Sequence, residues 1–129
     1  MFFGATASLT LDNRTAVLTS AAGTELDLQK YFVNPGKRAM LAEVLPIWTG
    51  SDSATATFDY KMQESNTTVD SDFSDISGAT ITQVAADAAA NTVQRISVYT
   101  AKRYVRGYAT IGAGAWNVSA VLLAVKRDS

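Results

Sequence analysis

The chain of 129 residues contains no cysteine and no histidine. Without cysteine it can form neither a disulfide nor a thiolate metal site. Without histidine it lacks the commonest metal ligand and the side chain that usually titrates near neutrality. The paired nucleophiles Cys–His and Ser–His–Asp are therefore excluded. Proline is scarce, at two residues, and net charge is close to zero at −1. A nucleic-acid module usually carries a strong basic excess, and this chain has none overall. No apolar run approaches the roughly 18 residues needed to cross a bilayer as a helix. The opening MFFGATASLT has no basic n-region and no long apolar stretch, unlike a signal peptide. These features fit a soluble chain made in a reducing cytoplasm.

What is present is apolar and strand-forming. At 47% hydrophobic and 18% charged residues, the composition is that of a globular protein rather than a disordered tail. TATFDYKMQES (55–65) alternates cleanly. Ala56, Phe58, Tyr60 and Met62 share one face and polar residues the other, as in a half-buried strand. TAVLTSA (15–21), RAMLAEVLPIWT (38–49), VQRISVYT (93–100), KRYVRGYATIGAG (102–114) and WNVSAVLLAVKR (116–127) are further strand candidates. Pro46 argues against a helix running through IWT. FSDISGATITQV (73–84) predicts a turn at Ser77-Gly78 followed by a short strand, ATITQV. AADAAAN (85–91) is open to one helical turn or a loop. The expected fold is all-β: an antiparallel β-sandwich, jelly-roll-like, of seven to eight strands. One domain spans 1–129, with residues 1–14 able to stand off as an N-terminal arm.

Candidate chemistry is thin. Six acids stand against one base in residues 51–75: Asp52, Asp59, Glu64, Asp70, Asp72 and Asp75 against Lys61. DSDFSD (70–75) lacks the central glycine and terminal Glu of a calcium loop. Such clusters usually form a solvated surface. No G-x-S-x-G elbow and no GxxxxGK[ST] phosphate loop occurs. The expectation is a protein that is not an enzyme and that needs neither a cofactor nor a metal.

Interaction signals are stronger. Lys102, Tyr104, Arg106 and Tyr108 form a stripe opposite Val105, Ala109 and Ile111. Tyr and Arg are enriched at protein interfaces, and basic residues between aromatics also suit nucleic acid. A partly solvated strand face would look the same. Residues 95–129 carry six bases against one acid, the reverse of 51–75. Either cross-strand pairing within one molecule or docking between copies would follow. The closing AVLLAV (120–125) is apolar at both parities, although a small antiparallel protein needs only one apolar face per strand. The parity of Trp116, Val118, Ala120, Leu122 and Ala124 is expected to be core. The parity of Val121, Leu123 and Val125 is expected to be half exposed and covered by a neighbour or by the N-terminal segment. Phe2 and Phe3 make a small apolar tip, and Trp48 and Trp116 are either interface or core anchors.

The order DYKMQES, FSDISGATITQV, KRYVRGYATIGAG and a final apolar strand, over roughly residues 26–127, resembles the head decoration, or cement, proteins of tailed bacteriophages. The resemblance implies a β-sandwich on the outer surface of the capsid, made in the bacterial host cytoplasm. It implies the major capsid protein and copies of itself, as dimer or trimer, as partners, with neither nucleic acid nor membrane. The expected interface residues are Phe2, Phe3, Trp48, Tyr104, Arg106, Tyr108, Trp116 and Leu123. A carbohydrate- or host-surface-binding sandwich of a phage tail or appendage is the alternative.

Overall fold

The computed structural model describes residues 7–17, 20–30, 38–48, 56–85, 93–112 and 116–126. Strands carry most of them, and no α-helix occurs among the described residues. They are β1 (Ala7–Val17), β2 (Ala21–Ala22), β3 (Leu26–Asp27), β4 (Arg38–Trp48), β5 (Thr57–Ser65), β6 (Ser74–Thr80), β7 (Val84–Ala85), β8 (Gln94–Thr100), β9 (Tyr104–Ile111) and β10 (Trp116–Lys126). Two 3-10 turns, Leu28–Lys30 and Asp70–Asp72, complete the set.

The first sheet has the order β1-β10-β4-β8 and the second β2-β9-β5-β6, all antiparallel. The two-residue strands β2 and β3 both pair with β9 and make one interrupted track. Likewise β7 continues β6 along β5. Eight tracks result. The first pairs with the last, the second with the seventh, the third with the sixth and the fourth with the fifth. That nested order is a jelly roll: a long hairpin rolled into two facing sheets.

Alternation builds the core between the sheets. On β10, Trp116, Val118, Ala120, Leu122 and Ala124 are buried. On the neighbouring β4, Met40, Ala42, Val44 and Pro46 stand beside them on the same buried face. The second sheet contributes Phe58, Tyr60, Met62, Val105 and Ala109. Phe58 packs on Trp116 at 5.5 Å between ring centroids and on Tyr60 at 6.3 Å. Gly107 makes room for Tyr60: a Cβ there would lie 1.6 Å from the phenol oxygen. Pro46 lies beyond Val44, the last β4 residue with a partner on β8. Among the described residues the strand has no β8 partner at that point, a place that tolerates a residue without N–H.

Three sequence expectations are corrected. Ser77-Gly78 is no chain reversal; β6 runs through it as a bulge. The register jumps from Lys61↔Thr80 to Gln63↔Asp75, and Gly78 takes the positive φ of +78°. The strand expected at ATITQV stops at Thr80, and only Val84–Ala85 pairs again. The first strand starts at Ala7, inside the expected arm, and ends at Val17 after a register shift. Residues 86–91, where a helical turn or loop was weighed, lie outside the described residues, as do 1–6.

Candidate interaction surfaces

The outer face of the first sheet follows from the same alternation. With one parity of β4 and β10 committed to the core, the other parity turns outward. It is apolar for much of its length. Leu41 is 40% exposed, and Leu45, Val121 and Leu123 are half-buried. Leu41 stands directly opposite Leu123, and such pairs share a face. On the neighbouring β8, Tyr99 is 53% exposed, and Val93, just ahead of the strand, is 50% exposed. Glu43 and Arg95 form an ion pair of 3.1 Å in the middle row. Two shallow grooves flank that pair. One is lined by Leu41, Glu43, Arg95 and Ser97, the other by Glu43, Leu45, Val93, Ser119 and Val121. β1 pairs edge-on with β10, with Leu9 opposite Leu123 and Leu11 opposite Val121. The N-terminal strand thus widens this sheet rather than lying across its face.

The outer face of the second sheet is polar. Its centre is Arg106, which is only 6% exposed. Its Nε donates to Gln63 Oε1 at 2.9 Å and its Nη1 to Asp70 Oδ1 at 2.8 Å. The guanidinium lies 3.9 Å from the centroid of the Phe73 ring. The loop between β5 and β6 is thereby folded back over the sheet. Gln63 Nε2 passes the network on to Asp75, which also accepts from Lys61 Nζ at 2.9 Å. The Gln63 amide first, then Lys61, holds the Asp75 carboxyl below its ordinary range. At the end of the sandwich Arg103 forms a two-pronged ion pair with Asp27, which raises the guanidinium further. There too Thr100 donates to Glu64, joining the two sheets. A shallow depression beside it is lined by Glu64, Asn66, Thr67, Asp72 and Lys102, but its acids already hold hydroxyls: Thr100 on Glu64 and Thr67 on Asp72. Among the described residues no group of three potential ligands could hold a metal ion.

The expected interface residues scatter on this frame. Trp116 is fully buried, so it is a core anchor and presents no surface. Arg106 is committed to its own loop and is likewise no docking residue, because Gln63, Asp70 and Phe73 enclose it. Tyr104 and Tyr108 are half-buried on the second sheet, with Arg103 over the first ring at 4.9 Å and Lys61 over the second at 5.4 Å. Leu123 lies on the opposite sheet, in the apolar face. Phe2, Phe3 and the Trp48 side chain fall outside the described residues. The eight do not form one patch. Sequence reasoning missed Leu41, Leu45, Val93 and Tyr99. The signal was available in β4, where RAMLAEVLPIW is apolar at both parities just as AVLLAV is. Three bases of the cationic C-terminal third are satisfied within the molecule, through Glu43, Asp27 and Asp70.

No protein-family model matches the chain, and no curated protein matches it in sequence.

Proposed function

We propose that this chain is a structural protein of a tailed-phage virion, attached to the outer surface of the capsid, where it reinforces the shell. The observation that carries the reading is the apolar outer face of β4, β8 and β10. Leu41, Val93 and Tyr99 are exposed on this face beside the half-buried Leu45, Val121 and Leu123, and exposed apolar patches mark association. The resemblance of the segment order to head decoration proteins points the same way. The jelly roll is also an architecture used by viral capsid proteins, though it serves lectins too, so the fold alone does not choose. The partners in this reading are the major capsid protein and other copies of the chain.

The mechanism is multivalent clamping. Apolar burial supplies about 25 cal/mol per Å², from which the cost of association is subtracted. Many modest contacts spread over a shell then resist rupture together. The test is co-sedimentation of the purified protein with shells that lack it. Pelleting of the native chain, weakened about 100-fold or more by Leu123→Glu, supports the reading. Failure to pellet, together with binding to a glycan array, contradicts it and favours a sugar-binding module.

A further inference from the structure

We infer that the outer face of the second sheet is a binding site for an acidic, aromatic peptide segment of a partner protein, and that the chain's own loop fills this site in its closed form. The loop is residues 66–73, between β5 and β6. A hairpin closes with roughly two to five residues, so this loop is longer than chain reversal needs. Its length lies over the sheet as a strap, and its contacts have the form of a bound ligand. Asp70 Oδ1 accepts from Arg106 Nη1 at 2.8 Å, and the Phe73 ring centroid lies 3.9 Å from the guanidinium carbon. A carboxylate and a ring three residues apart thus engage one arginine. The strap also holds its own shape. Thr67 Oγ1 donates to Asp72 Oδ2 at 2.6 Å, and the Val69 N–H donates to Thr67 Oγ1. The N–H groups of Asp72 and Phe73 donate to the carbonyls of Val69 and Asp70. Among the described residues, its side-chain ties to the sheet are Asp70 and Phe73 on Arg106, and Asn66, whose Oδ1 accepts the Arg103 N–H at the root of the strap.

With the strap down, Arg106 docks nothing else. With the strap lifted, it becomes the centre of a receiving surface. Tyr104, Arg106 and Tyr108 follow one another along β9, and Gln63 and Lys61 stand beside the last two on β5. Arg and Tyr are the residues enriched where proteins meet. Two cations of this face, Arg106 and Lys61, are neutralised by Asp70 of the strap and Asp75 of the strand that follows it. The Asp70 side chain is 93% exposed, so an incoming carboxylate reaches Arg106 from solvent without crossing the core. The acidic segment is thereby a stand-in for a partner's acids. A peptide is favoured over a nucleic acid because the present occupant is a peptide segment and the net charge is −1. Competition sets the affinity: a tethered strap acts at millimolar effective concentration, so a free ligand meets an open site only part of the time.

The probe is a fluorescent synthetic peptide with the sequence of residues 66–75, titrated with the full chain and read by anisotropy. Asp70→Ala frees the strap at an exposed position and should tighten binding about tenfold over the native chain. Phe73→Ala frees it from the ring side and should act in the same direction. Arg106→Ala opens the strap as well but removes the site, so it should not bind. The peptide carrying its own Asp70→Ala change should lose binding to every form. Equal binding by Asp70→Ala and Arg106→Ala, or no gain in either strap variant, overturns the inference. Uptake of a single-stranded oligonucleotide in preference to the peptide overturns it too, assigning the site to phosphate. These variants leave the first sheet untouched, so pelleting with shells is a separate readout: either reading can fail while the other stands.

Discussion

Arg106 holds two elements at once. It grows from β9, but its guanidinium is bonded to Gln63 of β5 and to Asp70 in the following loop, with Phe73 stacked on it. Asp70 is 93% exposed, so the pair draws little from Coulomb attraction across a dry site. The stabilisation comes from the buried hydrogen bond to Gln63 and the contact with the ring. Arg106→Ala should therefore cost about 1–3 kcal/mol, read as a lower urea midpoint, and should open residues 66–73 to protease. Arg106→Lys should recover only part of this, since an ammonium cannot hold both partners and lie flat on Phe73. Asp75 sets the acid limit of the same network. Its folded carboxyl titrates below its unfolded value, so its contribution is full above the ordinary carboxylate pKa of about 3.9 and is lost as pH falls through the lower folded one. Thermal melts should show stability falling below about pH 4, with a shallower fall in Asp75→Asn.

At the scale of the element, β10 is one strand with two duties. Leu122 is fully buried between the sheets, and Leu123, next to it, is half-buried on the outer face. Leu122→Ala should cost about 2–5 kcal/mol in equilibrium unfolding, the range for emptying a packed leucine site. Leu123→Glu should cost less than about 1 kcal/mol and act on association instead. The period of two made this division legible in β10 and in the first half of β5; at Met62 and Gln63 both faces are buried, because the loop after β5 covers the outer one. The same rule led to a wrong surface assignment for Arg106. Alternation says only that it turns away from Val105; what covers that face is a loop from elsewhere in the chain. Gly78 was misread for a related reason. Ser-Gly reads as a turn, yet positive φ serves a bulge equally well, and only pairing with Lys61 and Gln63 distinguishes them.

At the scale of the whole molecule, the all-β sandwich could be read from patterning, but the pairing could not. The jelly roll joins Ala7 to Val125 and Arg38 to Thr100, contacts whose partners lie far apart in sequence and carry no local signal. The second sheet is polar outside, whereas the first sets Leu41, Leu45, Val121 and Leu123 around the Glu43–Arg95 pair, and the functional account rests on this difference. A cement protein must be present in proportion to the shell it covers, whereas a tail or appendage module is present in few copies. The most direct measurement is the copy number of this chain per major capsid protein in purified virions, by quantitative mass spectrometry. The account predicts hundreds of copies per particle in a fixed ratio to the capsid protein; a handful of copies, or none, would contradict it.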